Sequence, residues 1–366
     1  MFNTAMKCQD DIFLITVPFE RANLQLAAYA LHLGAYHTIF CKQVRSATVK
    51  LYCRDVATAV QHFRPDKRDI RYPSTNNTNK MSKSLTDVFD DLQRYDSAPN
   101  RRECFTPAML KKQKQDAEAL GESGFLTLTA AIADWSEVNL YMGSRLTEWA
   151  QPATRHRRPE NAHIQDGYTA PRAFRLIDIR LLDPRKVPIL LSDGISDPDR
   201  VDSIEITWRT QKNKNNGETR RYIRNANPNS DSCYVRPMMR ILQRFVKLRG
   251  IHDVWTPLSV FQDTSGATVL ITHKEIESTM RATAASVYNL NPDNSEHQKM
   301  LLLWSSHSYR VGACNILYST GNKPPRIQML LRWRSDSFQV YLRNLRVVCN
   351  DHNDSVNAAM AIERFE

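Results

Sequence analysis

Residues 174–224 do most to limit what this chain can become, because they interrupt a pattern that is otherwise helical. Residues 174–182, 187–191 and 202–210 carry the β-branched and aromatic residues of strands. The polar run from Thr210 to Thr219 contains Asn216-Gly217, a hairpin signal between 204–208 and 221–224. One short antiparallel sheet set among helices predicts a mainly α chain of α+β type.

Helical patterns lie on both sides. Residues 23–37 are apolar at close to helical spacing, and Val49, Tyr52, Cys53, Val56 and Val60 share one face of a second helix that Ser46 would cap. Residues 64–84 are polar and read as a loop, and 84–95 as a third, amphipathic helix. Ser97-Ala-Pro-Asn-Arg-Arg102 is the best linker candidate. Thr106-Pro107 then restarts the chain with a capping residue and a proline at the first helical position. Helical patterns fill 107–150, and 152–172 is polar and rich in helix breakers. From Pro237 onward the pattern returns to helices, with Gly250 and Gly321 as C-caps. The expected organisation is a helical domain over 1–104 and a larger domain over 105–366 that carries the sheet.

The chain has 50 Lys and Arg against 39 Asp and Glu, a net charge of +11. Such an excess favours polyanionic partners, either nucleic acid or an acidic membrane surface. No apolar run approaches the roughly 18 residues a membrane span needs, and the N-terminus lacks the pattern of a signal peptide. Seven cysteines without a C-x-x-C argue against a zinc ribbon or disulfide scaffold and for a reducing compartment. Cys349 and His352 have no partners at metal-ligand spacing. Walker A, G-x-G-x-x-G, G-x-S-x-G and H-E-x-x-H motifs are absent.

The chemistry concentrates near the end. His307 and Arg310 are three apart and share a helix face. Lys323, Arg326, Arg332, Arg334, Arg343 and Arg346 crowd one short stretch against a single acid, Asp336. A tyrosine in such a setting, Tyr341, is a candidate nucleophile, since cations lower the cost of its phenolate. Arginines clamp phosphate oxygens, and an imidazole moves protons near neutral pH. Together these residue types suggest phosphoryl transfer to tyrosine without a metal. Taken singly, each has an ordinary reading. Arg145 would be an i, i+3 surface partner of Glu148, Tyr341 a core or rim aromatic, His307 a helix cap, and Lys212 a solvated turn residue.

At these residues the sequence resembles the tyrosine recombinases, the phage-integrase family, and most of all their eukaryotic mobile-element branch. His307-x-x-Arg310, an apolar helix, Leu331-Arg-Trp333 and Phe338-Gln-Val-Tyr341-Leu-Arg343 look like the second conserved box. Gly143-Ser-Arg145-Leu-Thr-Glu148 resembles the first. Thr210-Gln-Lys212-Asn is similar to the β-hairpin lysine motif, with Lys214 as the less favoured alternative. The resemblance covers the catalytic half, about 106–366, and implies a helical DNA-core-binding domain before it. It implies that Arg145 and Arg310 hold the scissile phosphate and that Tyr341 forms a 3′-phosphotyrosyl bond. Lys212 would protonate the departing 5′ oxygen, His307 assist proton transfer, Trp333 donate to the phosphate, and Glu148 orient its neighbours. No ATP, metal or other cofactor is implied. The implied partners are double-stranded DNA and three further copies of the chain, in a tetramer that exchanges C-terminal segments. The implied place is inside the cell, in the nucleus of a eukaryotic host.

Arg209, Lys212, Lys214, Arg220, Arg221 and Arg224 form a second basic concentration, opposed in sequence only by Glu218. This is either a solvated hairpin or one lying on a DNA backbone. Three functions are therefore weighed: a site-specific recombinase or integrase, a type IB topoisomerase, and a DNA-binding relic without catalysis.

Overall fold

The computed structural model describes residues 18–36, 44–64, 66, 68–72, 81–96, 101–150, 173–209, 216–228, 230, 232–333 and 338–342. The chain divides into two compact units, Met1–Asn100 and Arg101–Glu366. Helices dominate and the sheets are small and antiparallel, the α+β composition expected from the sequence. Among the described residues no helix is long and apolar enough to cross a membrane.

The first unit contains α1 (Phe19–Tyr36), α2 (Ser46–Phe63) and α3 (Lys83–Arg94). Its core joins Leu26, Ala30 and Leu33 of α1 to Val49, Cys53 and Val60 of α2 and to Leu85 and Phe89 of α3. Ser46 is not the cap the sequence suggested. Arg45 holds the N-cap position, and the Ser46 hydroxyl donates to Asp96 at 2.6 Å. The acid that claims Ser46 lies fifty residues away, beyond the reach of a local capping rule.

The second unit begins as its sequence predicts. Thr106 caps α4 (Pro107–Glu118) with Pro107 in the first turn. Next come α5 (Leu128–Met142) and the one-turn α6 (Leu146–Trp149). The helix α5 is buried on nearly every side, and Trp135 stacks on Trp149 at 5.3 Å. The sheet has the order β2-β1-β3-β4, from β1 (Ile179–Leu182), β2 (Pro188–Ile189), β3 (Ser203–Trp208) and β4 (Glu218–Ile223). Strand β1 starts later than the sequence pattern suggested. A 3-10 turn over Leu176–Asp178 precedes it, closed by the Arg175 backbone N–H donating to the Asp178 carboxylate at 2.8 Å. Ile204, Ile206 and Trp208 of β3 turn inward together, since alternate strand residues share a face.

After the short α7 (Leu191–Ser196) on the way to β3, the chain continues beyond β4 into α8 (Val235–Arg249), which ends at Gly250 as expected. The expectation of helices alone from Pro237 onward fails once. A second hairpin, β5 (Val260–Gln262) with β6 (Thr268–Leu270), follows α8. Three-residue strands show too little alternation to register as a pattern. Its tight turn needs Gly266, whose φ of +83° is cheap only for glycine. The remaining helices are α9 (His273–Val287), α10 (Ser295–Leu301), α11 (Ser308–Ser319), α12 (Pro324–Leu331) and α13 (Gln339–Leu342).

Candidate active site

Helix α11 carries two of the candidate residues and is fixed by a third side chain between them. Tyr309 points into the core, 4.7 Å from Phe105 and 6.0 Å from Trp149, and shares a 2.7 Å hydrogen bond with Ser136. Because residues one and two positions away face elsewhere on a helix turn, burying Tyr309 sends His307 and Arg310 to the other side. His307 sits at the N-cap position and is partly open to solvent. Arg310 is 4% exposed.

Helix α12 ends in the six-to-one hydrogen-bond pattern that commonly terminates helices. Trp333 N–H donates to Gln328 O at 2.9 Å and Arg332 N–H to Met329 O at 3.3 Å. The pattern requires a left-handed residue, and here that residue is Arg332, with φ of 57°. A non-glycine residue there costs roughly 1–2 kcal/mol. The turn aims Trp333 back over α11: the Arg310 guanidinium lies 4.7 Å from its ring. Phe338 stacks on Trp333 at 5.2 Å and anchors α13 in a small core with Ala313, Cys314, Ile327 and Leu331.

Helix α13 then delivers Tyr341. Its hydroxyl lies 2.6 Å from His307 Nε2, and its ring lies 5.7 Å from that of Trp333. Burial raises the Tyr341 phenol above its usual range, against the nearby Arg310. Burial lowers the His307 imidazole, and the cations Arg310, Arg102 and Arg145 push it the same way. At neutral pH the pair is therefore a protonated phenol beside a neutral imidazole.

Gly143 closes α5 in the left-handed conformation, φ 54°, and its carbonyl accepts from Arg310 Nη1 at 2.6 Å. Leu331 O accepts from Arg310 Nη2 at 3.4 Å. Burial, and then the neighbouring Arg145, push the Arg310 guanidinium down to about 9. A phosphate between the two would offset both costs. Arg145 leads into α6 and reaches Glu148 Oε1 at 3.0 Å, while its backbone N–H donates to Glu148 Oε2.

Five of the six sequence candidates thus meet in one cluster: Arg145, His307, Arg310, Trp333 and Tyr341. Lys212 lies outside the described residues, as do Lys214, the segment 152–172 and the chain after Leu342. Two residues of the cluster were not singled out from sequence. The Arg332 side chain, counted there only as one of many basic residues, reaches Glu148 Oε2 at 3.0 Å. Trp208, at the end of β3, donates its indole N–H to the same oxygen at 3.3 Å, and the Arg332 guanidinium lies 3.8 Å from its ring. Burial opposes ionisation of Glu148, but Arg332 and Arg145 outweigh it and hold the carboxyl below its usual range.

The basic hairpin is less free than its sequence suggested. Arg209 pairs with Asp178 at 2.5 Å and Arg221 with Glu205 at 2.7 Å, both acids contributed from outside the basic run. Arg220 binds Glu218 and the Met329 carbonyl, and Arg224 binds the carbonyls of Val201 and Pro198. Among the described residues no three His, Cys, Asp or Glu side chains converge as metal ligands would.

No family model matches the chain, and no curated protein does. Solved structures do. The Tn1549 transposon integrase in complex with transposon right end DNA matches at 13% identity and a TM-score of 0.44, over 98% of this chain and 90% of that one. The XerH site-specific recombinase, bound to a palindromic difH substrate, matches at 10% identity and 0.44, over 96% and 75%. XerA recombinase matches at 13% and 0.35, over 97% and 86%. These likenesses are distant in sequence and partial in geometry, and the chemistry of the site stands on its own atoms.

Proposed function

We propose that the chain is a tyrosine recombinase of the mobile-element type, a site-specific recombinase or integrase that cuts and rejoins double-stranded DNA through a 3′-phosphotyrosyl intermediate. The observation that carries this reading is the 2.6 Å contact of Tyr341 with His307, beside the Arg310 guanidinium, which lies within the field of both Arg145 and the phenol.

In the proposed reaction, Arg145 and Arg310 bind the non-bridging oxygens of the scissile phosphate. Their charge offsets the charge that builds on phosphorus-bound oxygen in the transition state. The Tyr341 phenol attacks phosphorus and gives its proton to the neutral His307 imidazole. The bond from phosphorus to the 5′ oxygen breaks, and Lys212 supplies the proton that the leaving oxygen takes. Trp333 lends its indole N–H to the phosphate and closes the pocket over Arg310. The phosphotyrosine keeps the diester's free energy, so rejoining needs no ATP, and this set of groups needs no metal. Residues 1–104 would grip the DNA core and 105–366 perform the chemistry, with four copies assembling on two sites, in the nucleus of a eukaryotic host.

The test is a nicked suicide DNA substrate that traps the covalent intermediate, with adducts resolved on a denaturing gel. Wild-type protein should form an adduct that Tyr341→Phe does not, and millimolar EDTA should leave the yield unchanged. An adduct at full level in Tyr341→Phe defeats the assignment of the nucleophile. Salt-sensitive DNA binding with no adduct favours a binding relic. Relaxation of supercoils by a monomer, without sequence preference, favours a type IB topoisomerase.

A further inference from the structure

We infer that Arg332 is a positioning residue: it locks the Arg145–Glu148 turn, the Trp208 end of β3 and the Trp333 loop into one unit, and it acts on strand cleavage through Glu148. The inference rests on the strand-cleavage reading above and adds to it a residue that never meets the DNA.

Three observations support it. The Arg332 side chain is 2% exposed and its partner Glu148 6%, so neither is open to a phosphate. The contact joins segments 184 residues apart, and the same Glu148 oxygen also takes the Trp208 indole N–H and the Arg145 backbone N–H. Arg332 also occupies the left-handed position that sets the direction of Trp333. One side chain is thus attached to three elements, each of which carries or adjoins a candidate catalytic group.

The electrostatics give the inference a distinctive consequence. Glu148 is the buried carboxylate faced by Arg145 and Arg332, with Arg310 and Tyr222 also within its field. When Arg332 is removed, burial acts on Glu148 with only part of its opposition left, and its affinity for protons rises. A protonated Glu148 holds Arg145 less well, because a charge-assisted bond becomes a neutral one.

The test compares Arg332→Gly, Arg332→Lys, Glu148→Gln and the double variant Arg332→Gly/Glu148→Gln in the wild-type chain. Single-turnover cleavage of saturating suicide substrate is followed as a function of pH, beside DNA affinity and thermal stability. Arg332→Gly suits the left-handed turn, and it should cleave about 100-fold more slowly, the scale of a small misplacement of reacting groups. DNA affinity should be unchanged. Arg332→Lys, which keeps the charge but not the planar fork, should fall between. The Arg332→Gly rate should drop further as pH falls, with a second acidic limb beyond the one His307 gives wild type, and the double variant should lack that second limb. The double variant should be no slower than the slower single variant. Should Arg332→Gly fail to fold, Arg332→Lys and Trp208→Phe provide the same comparison, the latter removing only the indole donor to Glu148. Wild-type cleavage in Arg332→Gly, parallel loss of rate and affinity, or losses that multiply with Glu148→Gln would each overturn the inference. A wild-type protein that forms no adduct defeats the strand-cleavage reading itself; an active wild type with an unaltered Arg332→Gly defeats only this step.

Discussion

His307 Nε2 and the Tyr341 hydroxyl stand 2.6 Å apart across 34 residues of sequence, each with a proton affinity that suits the other. Burial and three arginines favour the neutral imidazole, and burial favours the intact phenol. A general base must be unprotonated to work, and His307 loses its proton below the ordinary histidine value of 6.5. Cleavage should therefore rise with pH through that acidic titration and level off by neutrality. His307→Asn should erase the limb and slow the reaction on the order of 10²-fold. Single-turnover rates measured from about pH 5 to 8 check this; a rate that falls as pH rises across the same window contradicts it.

Arg310 should tolerate not even the change to lysine. Its guanidinium spans two carbonyls, of Gly143 and Leu331, and lies under the Trp333 ring. A lysine has no planar fork to keep that orientation and present two donors to a phosphate. Arg310→Lys should lower the cleavage rate about 10²- to 10³-fold, as removal of a preorganised transition-state donor does. Affinity for DNA should change little, because one phosphate contact among many is lost. Cleavage and gel-shift titrations on the same protein separate the two effects.

What was legible in sequence follows from range. Thr106-Pro107 and Gly250 marked helix ends correctly because capping is a matter of a few neighbouring residues. His307 and Arg310 were legible as one face because three residues make nearly a helix turn. Arg332 was not. Nothing in Leu331-Arg-Trp333 announces a left-handed arginine, and its partner Glu148 lies on another element far back in the chain. Ser46 was misread for the same reason, since a distant Asp96 takes its hydroxyl. The basic hairpin looked opposed only by Glu218 because Glu205 meets Arg221 across the β3–β4 pairing and Asp178 reaches Arg209 from the turn before β1, neither through sequence proximity.

That pairing alters what a charge deletion in the hairpin should do. Asp178 is 2% exposed at its side chain and receives Arg209 Nε at 2.5 Å. Arg209→Ala would leave a buried carboxylate without its main counter-charge, a change that typically costs about 3–5 kcal/mol. The expected result is a large loss of stability, read as a lowered urea midpoint with an unchanged slope. Loss of DNA affinity without loss of stability would instead make Arg209 a backbone contact.

Gly312 tests whether the site depends on how α11 is seated. It lies two residues after Arg310, and a Cβ there would meet the Phe105 carbonyl oxygen at 2.2 Å, with Leu140 Cδ2 at 3.3 Å beyond it. The near atom is backbone, held in turn by the Phe105 N–H bond to Ser308 O, so it cannot swing aside as a side-chain tip does. Gly312→Ala must therefore push α11 away from the segment before α4, and overpacking of this kind costs about 1–3 kcal/mol. Because His307 and Arg310 ride on the same helix, the displacement should also open the His307–Tyr341 contact and slow cleavage. Urea denaturation and single-turnover cleavage of Gly312→Ala should both show the effect. A wild-type midpoint with wild-type cleavage would mean that the helix is not clamped where the structure has it.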